Sequence, residues 1–107
     1  IDDNKKQLDG YTADIIDPLD LQDKFEAFGF YTIKVDGSSI KEIYDAIERG
    51  KSQSDLPVAI ILDTVKGQSV PCIENIMANH HLRPTEQQHE EILAAISELE
   101  AKVGGIA

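Results

Sequence analysis

The run Pro57-Val58-Ala59-Ile60-Ile61-Leu62 restricts the folds open to this chain more than any other stretch. It is apolar throughout, with no polar residue interleaved. A half-solvated strand alternates, because successive side chains point to opposite faces. A strand without alternation needs cover on both faces, as an inner strand of a parallel sheet has.

The flanking segments supply neighbours and cover. Residues 30–35, FYTIKV, have the β-branched and aromatic content of a second strand. Ile1 to Asp3 reads as the end of a third. Tyr11 to Pro18 has no regular pattern. Asp20 suits the N-cap of a short helix with Leu21, Phe25 and Phe28 on one face, and Gly29 suits its C′ position. Asp36-Gly37 turns the chain. Ser39 and Glu42 have capping-box spacing ahead of a stripe of Ile40, Ile43, Tyr44 and Ile47. Pro84, Thr85 and Gln88 announce a last helix, with Ile92, Ile96, Leu99 and Val103 on its buried side and Gly104-Gly105 as its stop.

The order is strand, helix, strand, helix, strand, loop, helix. That alternation implies an α/β fold: a parallel sheet covered by helices and joined by right-handed crossovers. About three strands and three to four helices are expected. The first strand is a stub of about three residues, against a usual five or six, so the sheet is expected to be part of a larger one.

A chain of 107 residues is one domain, expected to bury about two-thirds of its unfolded surface. Its net charge of −10 opposes binding to phosphate backbones, so no nucleic-acid partner is expected. No apolar run approaches membrane-span length and no signal peptide is read, which makes the cytoplasm the expected location. Cys72 is alone, which rules out an internal disulfide and suits a reducing compartment.

Two polar clusters follow strand ends, Asn4 to Gly10 and Asp63 to Gly67. In a parallel sheet both exits lie at one edge, where α/β proteins place ligands. Asp63 to Arg83 is a long aperiodic segment, which in a compact domain is functional or disordered. Asn4 can cap backbone groups, or offer a neutral oxygen to Mg²⁺ or Ca²⁺. Asp2 and Asp3 lie on opposite faces, so at most one points at such a ligand. Lys66-Gly67 is either a plain turn with a solvated lysine or a charge aimed at a phosphate. His80 and His81 do not make a zinc site with one cysteine. One of them suits a general acid/base or an oxyanion donor, against the alternative of two solvated loop histidines. His89 sits among Gln88, Glu90 and Glu91 and is read as exposed.

DDNKKQLDG, DKFEAFGFYTIKVDG and PVAIILDTVKGQSVPCIEN, in that order, resemble transketolase, and most closely the bacterial form split into N-terminal and C-terminal subunits. The resemblance implies the C-terminal part of the domain that holds thiamine diphosphate, and transfer of a two-carbon ketol unit from a ketose phosphate to an aldose phosphate. It puts Asn4 on a Mg²⁺ ligand and Lys6 on a position that gives the metal its backbone carbonyl. Leu8 falls on an apolar cofactor contact. Lys66 falls on a lysine near the diphosphate. His80 falls on a histidine that contacts cofactor and substrate oxygens, and His81 receives no role.

Departures accompany the likeness. Ser69 stands where relatives have a second glycine, and Asn79 where they often have Trp or Ser. The Gly-Asp-Gly stretch that supplies the charged metal ligand does not occur in the chain. The substrate-holding histidines and the glutamate that activates the aminopyrimidine are missing as well. Residues 1–107 are therefore expected to be part of a transketolase subunit, inactive alone. The expected partners are the rest of the N-terminal section, a C-terminal subunit or domain, and a second copy. A non-catalytic α/β module acting through an open sheet edge, and a related thiamine-diphosphate enzyme, are the alternatives.

Overall fold

The computed structural model describes residues 1–104. A three-stranded parallel sheet forms its centre, built from β1 (Asp2–Asp3), β4 (Tyr31–Asp36) and β5 (Val58–Asp63) in the order β1-β5-β4. The apolar run is the middle strand, as expected, but its two faces are not covered alike: Ala59 and Ile61 are buried, whereas Val58, Ile60 and Leu62 are half-exposed. Asp2 pairs with Leu62, and Ile33 with Ile60. Ile61 is fully buried, and Ala59 and Ile33 are nearly so.

Helices cover the sheet. α2 (Leu21–Ala27) and α3 (Ile40–Ser52) both lie against β4 and β5. Asp20 caps α2 by accepting from Asp23 N–H at 3.1 Å, and Gly29 follows the helix at φ +85°. Ser39 caps α3 by accepting from Glu42 N–H at 3.2 Å. The other half of that capping box does not form: Glu42 Oε2 accepts instead from Asp36 N–H at 3.0 Å, tying α3 to the end of β4.

The apolar stripes sit differently from expectation. On α3 the sheet-facing positions are Ile43, Ala46 and Gly50, whereas Ile40, Tyr44 and Ile47 are exposed. Gly50 explains the rotation, because a Cβ there would meet Val58 Cγ1 at 3.0 Å. Small residues let the helix come close, and the large ones turn outward. Phe28 is likewise exposed, while Phe25 packs edge-on against Phe30.

The last helix, α5 (Glu86–Gly104), starts where expected. Gln88 N–H donates to Thr85 Oγ1 at 3.2 Å, and Thr85 N–H to Gln88 Oε1 at 2.9 Å, a reciprocal capping box. Its apolar side is not buried. Only Gln88, Ile92 and Ala95 are half-covered, and Ile96, Leu99 and Val103 are exposed, because the helix packs chiefly against α4 (Pro71–Glu74) and not on the sheet. Gly104 belongs to the helix, and Gly105 lies outside the described residues.

Three short pieces carry no regular signal in the sequence: a hairpin of β2 (Lys6–Gln7) and β3 (Gly10–Tyr11), the turn of helix α1 (Thr12–Ile15), and α4. Each is too short to display the period of its own pattern. No helix among the described residues is long and apolar enough to cross a membrane.

Candidate functional site

The two strand exits meet. A cleft of about 380 Å³ at the carboxyl ends of β1 and β5 is lined by Asp2, Asn4, Leu62, Thr64, Val65, Lys66, Gly67 and Gln68. Neighbouring parallel strands force this: the chain leaves β1 at Asn4 and β5 at Thr64, on the same edge.

Asn4 is held at both ends of its amide. Its Oδ1 accepts from Lys6 N–H at 3.0 Å and its Nδ2 donates to Asp2 Oδ2 at 2.9 Å. The turn passes through Lys5 at φ +62°, a conformation uncommon for a non-glycine residue. Lys5 O then accepts from Thr12 N–H at 3.0 Å, and Lys5 Nζ pairs with Asp3 and, at 3.5 Å, with Asp63. Asp2 therefore serves the cleft, and Asp3 the opposite face. The Thr64 hydroxyl and the Asn4 amide, both donating to Asp2, hold its carboxyl below the usual range; slight desolvation opposes them.

The side chain of Lys6 is not free. Its Nζ donates to the carbonyls of Glu74 at 2.8 Å and Ile76 at 3.1 Å. Sequence reasoning assigned only its backbone oxygen and missed this clamp, for which a lysine in a short polar loop gives no signal. Leu8 is half exposed at the hairpin tip, beyond the residues that line the cleft.

The segment from Asp63 to Arg83 is organised by successive turns. Gln68 N–H bonds Val65 O at 3.0 Å, and Val70 N–H bonds Gly67 O at 3.1 Å. Gly67 has φ +84°, and a Cβ there would lie 2.6 Å from Ile73 Cγ2. The glycine thus serves packing against Ile73 within the loop. Ser69 adopts φ +71°, a left-handed backbone that favours glycine, and its N–H donates to Glu74 Oε1 at 2.6 Å. Lys66 is half-buried, and its Nζ lies 3.3 Å from His80 Nδ1. His81 stacks edge-on against His80 with ring centroids 4.8 Å apart, and His89 is exposed on α5. Asn79 joins the segment's ends: its Nδ2 donates to Lys66 O at 3.1 Å and to Ile73 O at 3.0 Å.

Asn4, Lys6, Lys66 and His80 thus belong to one connected structure at the sheet edge. Among the described residues no cluster of three or more His, Cys, Asp or Glu side chains could hold a metal.

Residues 1–98 match the family described as transketolase, thiamine diphosphate binding domain. The chain belongs to the transketolase family. It is 40% identical over 98 residues to the 6-deoxy-6-sulfo-D-fructose transketolase subunit of Clostridium sp. (strain MSTE9), covering 91% of this chain and 34% of that one. To an apulose-4-phosphate transketolase subunit of Phocaeicola vulgatus it is 30% identical over 98 residues, 92% of this chain and 35% of the other. To mouse transketolase it is 38% identical over 82 residues, 76% of this chain and 13% of the other. The chain spans about a third of the length of the transketolase subunits it matches. The parallel sheet with its helices agrees with the α/β fold of a thiamine-diphosphate-binding domain.

Proposed function

We propose that residues 1–107 are the C-terminal portion of the diphosphate-binding domain of a transketolase subunit. Its reaction would be transfer of a two-carbon ketol unit from a ketose phosphate to an aldose phosphate. The observation that carries this reading is the single cleft in which Asn4, from one strand exit, faces Lys66 and Gly67 from the other.

The residues present suit part of the cofactor's needs. Among the described residues Asn4 Oδ1 accepts one hydrogen bond, leaving a lone pair of the kind Mg²⁺ takes from amides. With the Lys6 carbonyl it makes two oxygen donors, which leaves most of an octahedral shell and all of its negative charge to other groups. Lys66 would face the diphosphate, and Leu8 would meet the cofactor's apolar part. Thiamine diphosphate, when bound, supplies the chemistry of carbon–carbon cleavage and formation. His80 would donate a hydrogen bond or proton to the substrate oxygen that gains charge.

The missing donors argue that the catalytic unit is larger than this chain: the rest of the N-terminal section would supply the charged metal ligand, and a C-terminal subunit or domain and a second copy are the further partners proposed. The relatives are named for a sulfosugar and for a sugar phosphate. A ketose with a terminal phosphate is the donor proposed here, and a sulfonated one is the outcome that would redirect it.

The test is reconstitution. The complete subunit, together with its partner, is assayed with ketose and aldose phosphates, with and without thiamine diphosphate and Mg²⁺. Ketol transfer that requires both is expected. His80→Ala should lower kcat about a hundredfold or more while changing cofactor affinity less. Transfer that proceeds without the cofactor, or unchanged turnover in His80→Ala, overturns the assignment.

A further inference from the structure

The contact between Lys66 and His80 is set by an amide that belongs to neither residue. Asn79 directly precedes His80, and its Nδ2 bonds the carbonyl of Lys66 at 3.1 Å. One end of the pair is thus fixed by chain connectivity and the other by a hydrogen bond. The second donor reaches Ile73 O at 3.0 Å, on the turn that Gly67 packs against. Both amide hydrogens are used.

The remaining atom shows that this position is not built for stability alone. Asn79 Oδ1 is buried and has no partner among the described residues. An orphaned buried acceptor is costly, and an apolar residue would avoid it. The two bonds from Nδ2 are what offsets that cost, and both go to the loop that carries Lys66.

We propose that Asn79 is a positioning residue that keeps the Lys66 ammonium on His80 Nδ1. An ammonium only donates, so Nδ1 must accept, and the neutral ring then carries its proton on Nε2. The histidine thereby presents an N–H donor on its free side. The catalytic meaning of this arrangement rests on the function proposed above; the clasp itself does not.

The test reads the imidazole nitrogens of the ¹⁵N-labelled chain by NMR at a pH where the imidazoles are neutral. His89, exposed on α5 and with no side-chain hydrogen bond among the described residues, is the internal reference. In the wild type, His80 Nδ1 should differ from His89 Nδ1, and Lys66→Met should abolish the difference. Asn79→Asp keeps the size but loses both donors, and Asn79→Ala removes the amide. Both should move His80 Nδ1 to its Lys66→Met value and leave His89 in place. An unmoved His80 in both variants overturns the proposal, as does an equal movement of His89, which would mean general loosening.

In the assembled enzyme, Asn79→Asp should lower kcat about tenfold to a hundredfold with little change in the KM for thiamine diphosphate. Combined with His80→Ala it should cost nothing beyond His80→Ala alone. Multiplying losses would contradict action through His80. An assembly without ketol transfer would refute the proposed function, and the nitrogen shifts would still decide the role of Asn79.

Discussion

Gly67 and Ser69 share a left-handed backbone and carry opposite predictions. A methyl group at Gly67 meets Ile73 at 2.6 Å and sits on a φ of +84°. Gly67→Ala should cost roughly 2–3 kcal/mol, read as a lower denaturation midpoint with faster amide exchange at Val70 and Glu74. Ser69 already bears that backbone with a side chain. Ser69→Gly should raise stability by roughly 0.5 kcal/mol, the strain relieved less the entropy of a freer unfolded chain. Asp2 gives a pH signature. Its folded carboxyl lies below the usual 3.8, through bonds from Thr64 and Asn4. Its contribution is therefore complete above that value and is lost as pH falls through the lower folded one. The stability difference between wild type and Asp2→Asn should be level well above pH 3.8 and shrink as pH falls through and below that value; a constant difference would mean Asp2 acts without its charge.

The secondary elements show which kinds of signal a sequence carries. Three strands, three caps and the order of elements were legible, since each rests on local chemistry: a run of apolar residues, an Asp, Ser or Thr with a partner three residues on. Which face of a helix is buried was not. On α3 the choice was made by Gly50 beneath Val58, a contact between residues of different elements. A stripe read by side-chain size falls about a quarter turn away from the one that packs. The candidate site divides in the same way. Asn4 and Lys66 were visible as polar residues at strand exits, whereas the bonds of Lys6 to Glu74 and Ile76 link positions about seventy residues apart. At α5 the local chemistry is testable. Thr85→Ala removes half of a reciprocal cap and should cost about 1 kcal/mol, seen as faster exchange at Gln88. Exchange in β5 should stay unchanged, because α5 packs chiefly on α4.

As a whole the molecule is thin, with extents of 51 × 43 × 14 Å and a radius of gyration of 17.1 Å, against about 13 Å for a compact chain of this length. Its accessible surface of 7686 Å² exceeds the roughly 5,900 Å² of a compact monomer of this mass. The burial expected from length alone is accordingly not reached. Much of the excess is apolar: Ile40 is 84% exposed and Tyr44 62%. Surfaces of this kind mark contacts with other protein. In sedimentation velocity the 107-residue chain should associate increasingly with concentration, and Ile40→Glu with Tyr44→Lys should weaken that association. A monomer across the whole concentration range would show that these faces need no cover.

The strand order has a further consequence in time. β1 reaches its partner across about sixty residues, Asp2 to Leu62, whereas β4 and β5 are joined by one helix. Closing so long a loop is entropically costlier than joining two strands through one helix, so it follows the pairing of β4 with β5. Asn4 arrives beside Lys66 only at that step. The pairing of β4 with β5 can therefore form before there is a cleft, and the docking of β1 beside β5 is the event that assembles one.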